Sequence, residues 1–435
     1  MQMLFTLGVL LYTLGILLAA LLGHPKAKQW VEGRWQQRKA YIPDTVDEPN
    51  ERWVWFHAAS LGEFEQGRPL IEQLRKEHPE YKILLTFFSP SGYEVRKNYE
   101  GADIITYLPL DTITNARRFL RAVHPVMAFF IKYEFWYNYL HILKHRNVPV
   151  YSVSSIFRPD QVFFKWYGRQ YGKVLNCCTH FFVQNEESKT LLAKIGITDV
   201  TIVGDTRFDR VLQIKEAAKQ LPIVEEFVKE SGVRSQESVG HSKPRVFVAG
   251  SSWPPDEEIF IKYFNQHPEW KLIIAPHVIG EDHLRQIEKL LEGRKVLRYT
   301  EAAKSASDTS LTSHLSPLTS YDVLIIDCFG LLSSIYRYGD VAYVGGGFGV
   351  GIHNLLEAAV WSIPVFFGPN NQKFQEAQGL KQNGGLEITD YESFASQMDR
   401  LAKDADYLKA QGKLAGRFVE GLSGATEKVL SATLR

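Results

Sequence analysis

The chain has few cysteines and almost no net charge. Its 435 residues include three cysteines, Cys177, Cys178 and Cys328, whose odd number and spacing fit neither a disulfide framework nor a zinc site. Lysine and arginine number 50 and aspartate and glutamate 49, so the net charge of +1 argues against a general affinity for nucleic acid. Cys177 and Cys178 lie in an apolar run, so we expect a buried thiol pair in a reducing compartment.

The segment Met1–Leu22 lacks charged residues and is rich in leucine. It is about as long as a helix must be to cross a bilayer core, which predicts a membrane anchor over residues 1–24. A cleaved signal peptide is the alternative, although the start has no basic residue and Ala19-Ala20 is a poor cleavage site.

Basic and tryptophan side chains alternate directly after this segment. They are Lys26, Lys28, Trp30, Arg34, Trp35, Arg38 and Lys39. Cations beside a membrane segment favour the cytoplasmic side, and tryptophans favour the headgroup zone. The flank therefore predicts a body on the cytoplasmic side of the membrane, near anionic lipid or a phosphorylated glycolipid.

Short apolar runs alternate with helical patterns along the rest of the chain. The first series of predicted strands is 53–56, 83–87, 126–131, 148–153 and 181–183, with a helix near 65–77. The second series is 245–249, 272–275, 323–326, 341–344 and 365–367. The polar stretch 231–242 between them predicts a linker, and 305–320, rich in Ser and Thr, predicts a surface excursion. Strands that alternate with helices imply parallel sheets with right-handed crossovers.

This pattern predicts an α/β fold of two Rossmann-like domains that face a central cleft, where we expect the active site. The N-terminal domain is placed at 25–228 and the C-terminal domain at 229–435. An arrangement in which the last helix packs back on the N-terminal domain is left open.

The first chemical motif is His57-Ala-Ala-Ser-Leu-Gly-Glu63, directly after a predicted strand. Its small residues allow a tight turn into a helix, which exposes backbone N–H groups and places Glu63 at the cleft. A carboxylate there can take a proton from an attacking hydroxyl. The alternative is a first-turn carboxylate favoured only by the helix dipole, and spacing alone does not decide between the two.

The second motif is Lys132-Tyr-Glu-Phe-Trp136, at the end of another predicted strand. Its charged residues, Lys132 and Glu134, are expected to face the cleft. Phe135 and Trp136 are interpreted as core residues, because an aromatic pair after a buried strand packs more often than it binds a ligand.

The third motif is a glycine cluster, 345–349, followed by Gly351-Ile-His-Asn-Leu-Leu-Glu-Ala358. Glycines let a phosphate approach the backbone, and the start of the following helix offers N–H groups to an anion. Asn354 and Glu357 are expected on one face of that helix. A carboxylate there can bind both hydroxyls of a ribose, so the motif predicts a nucleotide site.

In order and distance these motifs resemble the bacterial transferases that add Kdo (3-deoxy-D-manno-octulosonic acid) to lipid A, a family of GT-B glycosyltransferases. The resemblance covers nearly the whole chain after the apolar segment, and it implies that the N-terminal domain binds the acceptor and the C-terminal domain the CMP-sugar. Further landmarks are Gly204–Asp209, Gly250–Trp253, Glu257-Glu258 and Asp327–Gly330. The resemblance implies an inverting transfer of Kdo from CMP-Kdo to a lipid A precursor in lipopolysaccharide core biosynthesis, with no metal or other cofactor.

The same resemblance implies roles for individual residues. Glu63 is the expected general base, and Glu134, Lys132 and Arg207 are expected to stabilise the charge that develops as CMP departs. The expected CMP-binding residues are Ser251, Ser252, Pro276, His277, Phe329, Gly330, Leu331, Gly346, Gly347, Asn354 and Glu357. Those expected near the acceptor are Ser60, Gly62 and Arg158.

Several positions depart from the commonest family pattern. Lys132 replaces a glutamate, His277 an arginine and Leu331 a glutamate, and Ser154-Ser155-Ile156 replaces Asn-Ala-Arg, with Arg158 nearby. The donor contacts at these positions therefore stay open. Two other functions also stay open: a GT-B transferase with a different nucleotide sugar, and a membrane-tethered two-lobed solute-binding protein. The second would require export, against which the basic flank argues.

Overall fold

The computed structural model describes residues 2–37, 51–229, 245–291, 293–307, 317–349 and 351–434. The predicted linker at 231–242 lies outside the described residues. So do Met1, Arg38, Lys39 and positions 308–316 of the segment rich in Ser and Thr. The chain divides into two compact units, Met1–Arg210 with Leu422–Arg435, and Val211–Gly421.

The first unit is built on a parallel sheet of seven strands. In chain order, β1 to β7 are Arg52–Ala58, Tyr81–Phe87, Ile104–Tyr107, Met127–Ile131, Val150–Ser155, His180–Val183 and Val200–Ile202. Their order in the sheet is β3-β2-β1-β4-β5-β6-β7. The order changes direction between β1 and β4, and ligands of such sheets bind beyond the carboxyl ends of the strands at that point.

The second unit repeats this plan with its own seven-stranded parallel sheet. Strands β8 to β14 are Val246–Ser252, Lys271–Pro276, Val296–Arg298, Val323–Ile325, Val341–Val344, Val365–Phe367 and Gly385–Glu387. Their order is β10-β11-β9-β8-β12-β13-β14. Two parallel sheets with helices confirm the predicted α/β, GT-B-like fold class.

Helices connect the strands in both units. Helices α1 to α10 are Gln2–Leu21, Pro25–Gln37, Leu61–Glu77, Pro90–Arg96, Ile113–Val123, Tyr137–His145, Arg169–Gly172, Glu186–Lys194, Arg207–Glu216 and Pro222–Phe227. Helices α11 to α19 are Pro254–Phe264, Glu281–Leu290, Tyr299–Ser307, Leu332–Ile335, Leu356–Ala359, Gln375–Leu380, Tyr391–Lys403, Ala405–Gly421 and Ala425–Thr433. Short 3-10 helices lie at Val162–Phe164, Trp166–Gly168, Lys173–Cys177, Leu318–Ser320 and Tyr336–Tyr338.

The second unit begins at Val211, earlier in the chain than the predicted residue 229. The reason is that the segment around α10 packs within this unit. The backbone N–H of Leu221 donates to the Tyr338 hydroxyl over 3.0 Å, and that hydroxyl donates to Glu225 over 3.0 Å. The last helix, α19, belongs to the first unit, where the N–H of Thr426 donates to Asp209 over 2.7 Å.

Helix α1 packs on the first unit through one face. The ring centroids of Phe5 and Tyr137 lie 5.3 Å apart, and those of Tyr12 and Phe88 lie 6.2 Å apart. The outward leucines are between 41% and 88% exposed: Leu7, Leu10, Leu11, Leu14, Leu17, Leu18, Leu21 and Leu22.

A membrane span is not evident among the helices that the structure describes. No single one of them is long and apolar enough to cross a membrane, and Phe5–Leu21 with Pro25–Trp35 qualifies only as a pair bent by 115°. The predicted anchor therefore stays a prediction.

The tryptophans of the basic flank differ from each other. Trp35 is 67% exposed, but Trp30 is buried, not at a headgroup position as predicted. The Arg34 guanidinium lies 3.8 Å from the Trp30 ring centroid and donates to the Phe88 carbonyl over 2.8 Å. Part of the predicted lipid-facing flank is therefore folded into the protein.

Candidate active site

Glu63 lies in the first turn of α3, just beyond the carboxyl end of β1. Its Oε2 accepts a hydrogen bond from the backbone N–H of Ser60 over 3.1 Å. Burial, followed by the negative charge of Glu134, raises the pKa of Glu63 to about 7, although Lys132 and backbone hydrogen bonds act in the opposite direction. A carboxyl group with a pKa near 7 is suited to proton transfer at neutral pH.

Lys132 and Glu134 follow β4, the neighbour of β1 in the sheet. Lys132 has a φ of 61°, in the left-handed region that non-glycine residues seldom adopt. Its carbonyl accepts hydrogen bonds from the hydroxyls of Ser152, over 3.2 Å, and Ser155, over 2.7 Å. These bonds from β5 hold the turn that brings Lys132 and Glu134 into electrostatic contact with Glu63. Such strained turns are concentrated at functional sites.

His57, which is fully buried, joins this turn to the core. Its Nε2 lies 3.6 Å from a Glu134 oxygen and accepts the indole N–H of Trp136 over 2.9 Å. Its Nδ1 lies 2.8 Å from the Thr86 hydroxyl, which also accepts the indole N–H of Trp55 over 2.8 Å. An indole nitrogen can only donate, so Nε2 is an acceptor and Nδ1 carries the ring proton.

Sequence reasoning assigned no role to His57 and placed Trp136 in the core. Phe135 is buried and Trp136 packs against the same core, as predicted, but His57 and Trp136 also lie beside Glu134. One sequence feature could have identified His57: it is the first residue of the motif that ends in Glu63, directly after a predicted strand.

Arg207 begins α9, beyond the carboxyl end of β7. Its Nε and Nη2 each lie 2.8 Å from Oδ2 of Asp205, a buried carboxylate. The other oxygen of Asp205 accepts the side-chain N–H of Gln66 over 2.9 Å. Gln66 lies one turn after Glu63 on α3, so Arg207 is oriented by a residue bonded to the helix that carries Glu63.

The three predicted acceptor residues lie at the same edge of the sheet but are less constrained. Ser60 precedes α3 and donates its backbone N–H to Glu63. Gly62 is exposed, with open space where a Cβ would lie. Arg158 is exposed in the loop after β5, where its backbone N–H donates to the Gln161 side chain over 3.1 Å.

In the second unit, a buried carboxylate holds the glycine turn after β12. Oδ2 of Asp256 accepts the backbone N–H groups of Gly346 and Trp253, each over 2.9 Å, and Oδ1 accepts the Tyr343 hydroxyl over 2.7 Å. Burial raises the pKa of Asp256 above its usual range. Sequence reasoning missed Asp256, which no motif distinguished from an ordinary first-turn acid.

The glycines of this turn are required by backbone packing. Gly346 has a φ of 94°, and a Cβ on Gly347 would lie 2.5 Å from Cα of Gly368. Two backbone segments therefore touch here, between β12 and β13. Their contact accounts for the glycines independently of the predicted phosphate.

Three rings stack at the carboxyl ends of β8, β9 and β12. The ring centroids of Trp253 and His277 lie 4.8 Å apart, and those of His277 and His353 lie 4.4 Å apart. The indole N–H of Trp253 donates to Nε2 of His353 over 3.3 Å. Burial and the neighbouring His277 lower the pKa of His353. The predicted donor residue His277 is thus held between two rings to which the sequence assigned no role.

Asn354 and Glu357 are brought together, but not as predicted. The side-chain N–H of Asn354 donates to Oε1 of Glu357 over 3.0 Å, and its Oδ1 accepts the N–H of Leu356 over 3.3 Å. Helix α15 has only four residues, Leu356–Ala359, so Asn354 precedes it and does not share a helical face with Glu357. A side-chain hydrogen bond forms the pair.

Ser251 and Ser252 end β8 at an irregularity in its pairing with β9. Ser251 has a φ of 52°. The buried Ser252 hydroxyl donates to Glu257 over 2.8 Å, and the other oxygen of Glu257 lies 2.8 Å from Nε2 of His283. Irregularities of this kind occur next to active sites, where they re-aim side chains.

The remaining predicted donor residues follow neighbouring strands. Pro276 is buried at the end of β9, and the backbone N–H of the next residue, His277, donates to the Ser252 carbonyl over 2.9 Å. Phe329 is 76% exposed after β11, and Gly330 has a φ of 88°. Leu331 is half-buried and precedes α14.

The first unit thus holds a carboxyl group with a raised pKa beside Lys132 and Glu134. The second holds a glycine turn, a ring stack and a fixed carboxylate. Within the described ranges, no group of three or more His, Cys, Asp or Glu side chains is placed to hold a metal ion.

Comparison with known proteins gives consistent matches. Residues 33–210 match the family model for 3-deoxy-D-manno-octulosonic-acid transferase (kdotransferase). The chain is 25% identical over 367 residues to the 3-deoxy-D-manno-octulosonic acid transferase of Rickettsia conorii, covering 82% of this chain and 73% of that protein. It is 26% identical over 380 residues to the transferase of the same name from Aquifex aeolicus, covering 85% and 92%.

Among solved structures, the UDP-GlcNAc 2-epimerase from Neisseria meningitidis bound to UDP-GlcNAc has a similar fold. The TM-score is 0.59 at 14% sequence identity, over 88% of this chain and 99% of that one. At this identity the similarity concerns the fold alone.

Proposed function

Because this chain is a glycosyltransferase of the Kdo transferase family, we propose that it transfers Kdo from CMP-Kdo to a lipid A precursor, with inversion and with Glu63 as the general base. The observation that carries the proposal is the position of Glu63, which follows β1 at the carboxyl end of a parallel sheet, beside Lys132 and Glu134 in the turn after the neighbouring strand β4. If Glu63 served only as a cap for α3, there would be no need for a second carboxylate, Glu134, beside it.

The proposed reaction is a single displacement. Glu63 takes the proton of the acceptor hydroxyl while that oxygen forms a bond to the anomeric carbon of Kdo. The bond from this carbon to the phosphate oxygen breaks, and CMP leaves with the electron pair. One displacement inverts the anomeric configuration. Lys132, Glu134 and Arg207 are proposed to stabilise the charges that develop in the transition state.

The proposed donor site lies in the second unit. Glu357, held by Asn354, is proposed to bind the ribose hydroxyls. The other proposed contacts come from the residues around the ring stack and the glycine turn. The donor has a single phosphate, so a divalent cation has less to neutralise than in a diphosphate sugar, and we propose that no metal is needed.

We further propose that the enzyme works at the cytoplasmic face of the bacterial inner membrane. The outward leucines of α1 form an exposed apolar surface. Such surfaces are typical of membrane or partner contacts. Lys26 and Lys28 are exposed at the start of α2, where anionic lipid would attract them.

The direct test supplies the purified full chain with CMP-Kdo and a tetra-acylated lipid A precursor. Mass spectrometry should show an acceptor that carries Kdo, with an equal amount of CMP released. NMR of the product should show the anomeric configuration opposite to that of the donor. Addition of EDTA should leave the rate unchanged.

The controls separate the parts of the proposal. Transfer from another nucleotide sugar with CMP-Kdo untouched would reject the donor. Retained configuration would reject the single displacement, and loss of activity in EDTA that added Mg²⁺ restores would reject metal independence. Consumption of CMP-Kdo without a lipid product would reject the acceptor.

A further inference from the structure

An apolar cavity of about 470 Å³ lies beneath α1 in the first unit. Helix α1 contributes Phe5, Val9 and Tyr12 to its lining, and the body contributes Phe88, Leu110 and Trp136. Its volume falls within the usual range for ligand pockets. Nothing in the proposed chemistry of Kdo transfer uses it.

The polar groups of two lining residues are already engaged. The Asp111 carboxylate is fully buried and accepts the backbone N–H of Asn138, over 3.1 and 3.2 Å to its two oxygens. The Trp136 indole N–H is bonded to His57. A polar ligand would therefore lose its hydration and gain few hydrogen bonds in exchange, whereas an apolar ligand would lose no hydrogen bonds to water.

The cavity also adjoins the proposed catalytic cluster, which consists of Glu63, Lys132 and Glu134. Trp136 lies two residues after Glu134 in the turn that follows β4, and both side chains contact His57, over 2.9 and 3.6 Å. One short turn thus supplies a wall of the cavity and a carboxylate of the cluster. A ligand whose tail filled the cavity would have its head close to Glu63.

We propose that the cavity binds one acyl chain of the lipid acceptor, an inference that rests on the proposed function. The helix that covers the cavity carries the exposed leucines on its outer face, so the pocket lies under the surface proposed to contact lipid. Binding one chain there would withdraw the acceptor from the bilayer and orient its sugar toward the base.

The first test maps the site on the unaltered full chain. Myristic acid with a diazirine at its chain end is bound, irradiated and located by mass spectrometry of peptides. At residue resolution, we expect label on the α1 residues that line the cavity, Phe5, Gly8, Val9 or Tyr12, and on the segments of Phe88 or Trp136. Label confined to the outward leucines, or to the second unit, would overturn the proposal.

A pair of glycines on α1 provides matched variants. Gly8 lines the cavity and Gly15 does not, yet both lie on one helical face with open space where a Cβ would be. Gly8→Phe should fill the cavity and reduce labelling by ~10-fold, the loss expected for about two buried methylene groups. Gly15→Phe should label like the wild type. Equal labelling of both variants would contradict the proposal.

Steady-state kinetics distinguishes an acyl chain of the acceptor from the chain of a membrane lipid that takes no part in the reaction. Gly8→Phe should lower kcat/KM for the acylated acceptor and leave it unchanged for a de-acylated one. An equal loss with both acceptors would assign the cavity to a membrane lipid and reject this proposal. If the wild type transfers no Kdo at all, the proposed function fails while the labelling experiment still decides whether the cavity binds a chain.

Discussion

The indole N–H of Trp136 donates to Nε2 of His57 over 2.9 Å, and the same ring nitrogen lies 3.6 Å from Glu134. Glu134 in turn raises the pKa of Glu63. The turn after β4 and the turn after β1 are therefore one electrostatic unit, and a change in either one should be measurable in the other.

Glu63→Gln should lower turnover by ~100-fold to 10,000-fold, the usual effect of losing a general base. The Gln amide oxygen can still accept the Ser60 N–H, so the start of α3 should be preserved. Affinity for CMP should barely change, because the proposed donor residues belong to the second unit. Near-normal turnover would remove Glu63 from the mechanism and make Glu134 the next candidate.

The pH dependence of turnover should follow the neighbours of Glu63. The base must be ionised, so turnover should rise with pH through about 7. Glu134→Gln removes a negative neighbour, lowers the pKa of Glu63 and should move the rise to lower pH. Lys132→Met removes a positive neighbour and should move it to higher pH. Shifts in the same direction for both variants would contradict this account, and Glu65→Gln on the same helix is the control.

Stability should depend on Glu63 in a defined pH window. Its pKa is raised from 4.5 to about 7 on folding, so its contribution is fully present below pH 4.5 and is lost as pH rises through 7. The glutamine in Glu63→Gln cannot ionise, so the variant does not lose this part of the free energy of unfolding as pH rises. Relative to the wild type, the variant should gain up to ~3 kcal/mol in free energy of unfolding across this window. Denaturant unfolding at each pH measures it, and a constant difference would argue against the raised pKa.

Glu357→Gln should weaken donor binding and leave stability almost unchanged. Loss of a charge-assisted hydrogen bond to the ribose should cost ~1.5–3 kcal/mol in CMP affinity. Isothermal titration with CMP measures the effect, and the melting temperature verifies the fold. Glu258→Gln, an exposed acid of the same unit, is the matched control. Unchanged affinity in Glu357→Gln would reject the ribose assignment.

Deletion of residues 1–22 should destabilise the protein, because α1 covers apolar surface of the first unit. Phe5 packs on Tyr137 and Tyr171 but is only partly buried, so its loss should cost less than the ~1.5–3 kcal/mol of a fully buried side chain. Thermal unfolding of the truncated chain measures the effect. The control is Leu14→Ser with Leu18→Ser, both on the outward face, which should leave the melting temperature unchanged. An equally stable truncated chain would show that α1 does not contribute to the stability of the first unit.

The central strands of both sheets are predictable because they are buried on both faces and appear as continuous apolar runs. The four strands that sequence reasoning did not predict, β3, β7, β10 and β14, are the outermost strands of the two sheets. An outermost strand pairs on one side only and is short, so its sequence carries a weaker apolar pattern.

The positions of the chemical motifs also follow from sequence, because glycines and charged residues after apolar runs mark the carboxyl ends of parallel strands. Their side-chain arrangements do not follow. Asn354 was expected on a helix that in fact begins after it. The burial of Trp30 depends on Arg34 and Phe88, which a local pattern does not bring together.

Glu63 shows most clearly which properties follow from the sequence and which depend on the tertiary structure. By itself, the sequence determined that a carboxylate follows β1 at the start of a helix, a position equally suited to a base or to a helix cap. Only the tertiary structure decided its pKa. The pKa of Glu63 is set by burial and by Glu134 and Lys132, which reach it from a separate strand of the sheet. Desolvation and Coulomb energy depend on distance in space, and chain separation does not encode that distance.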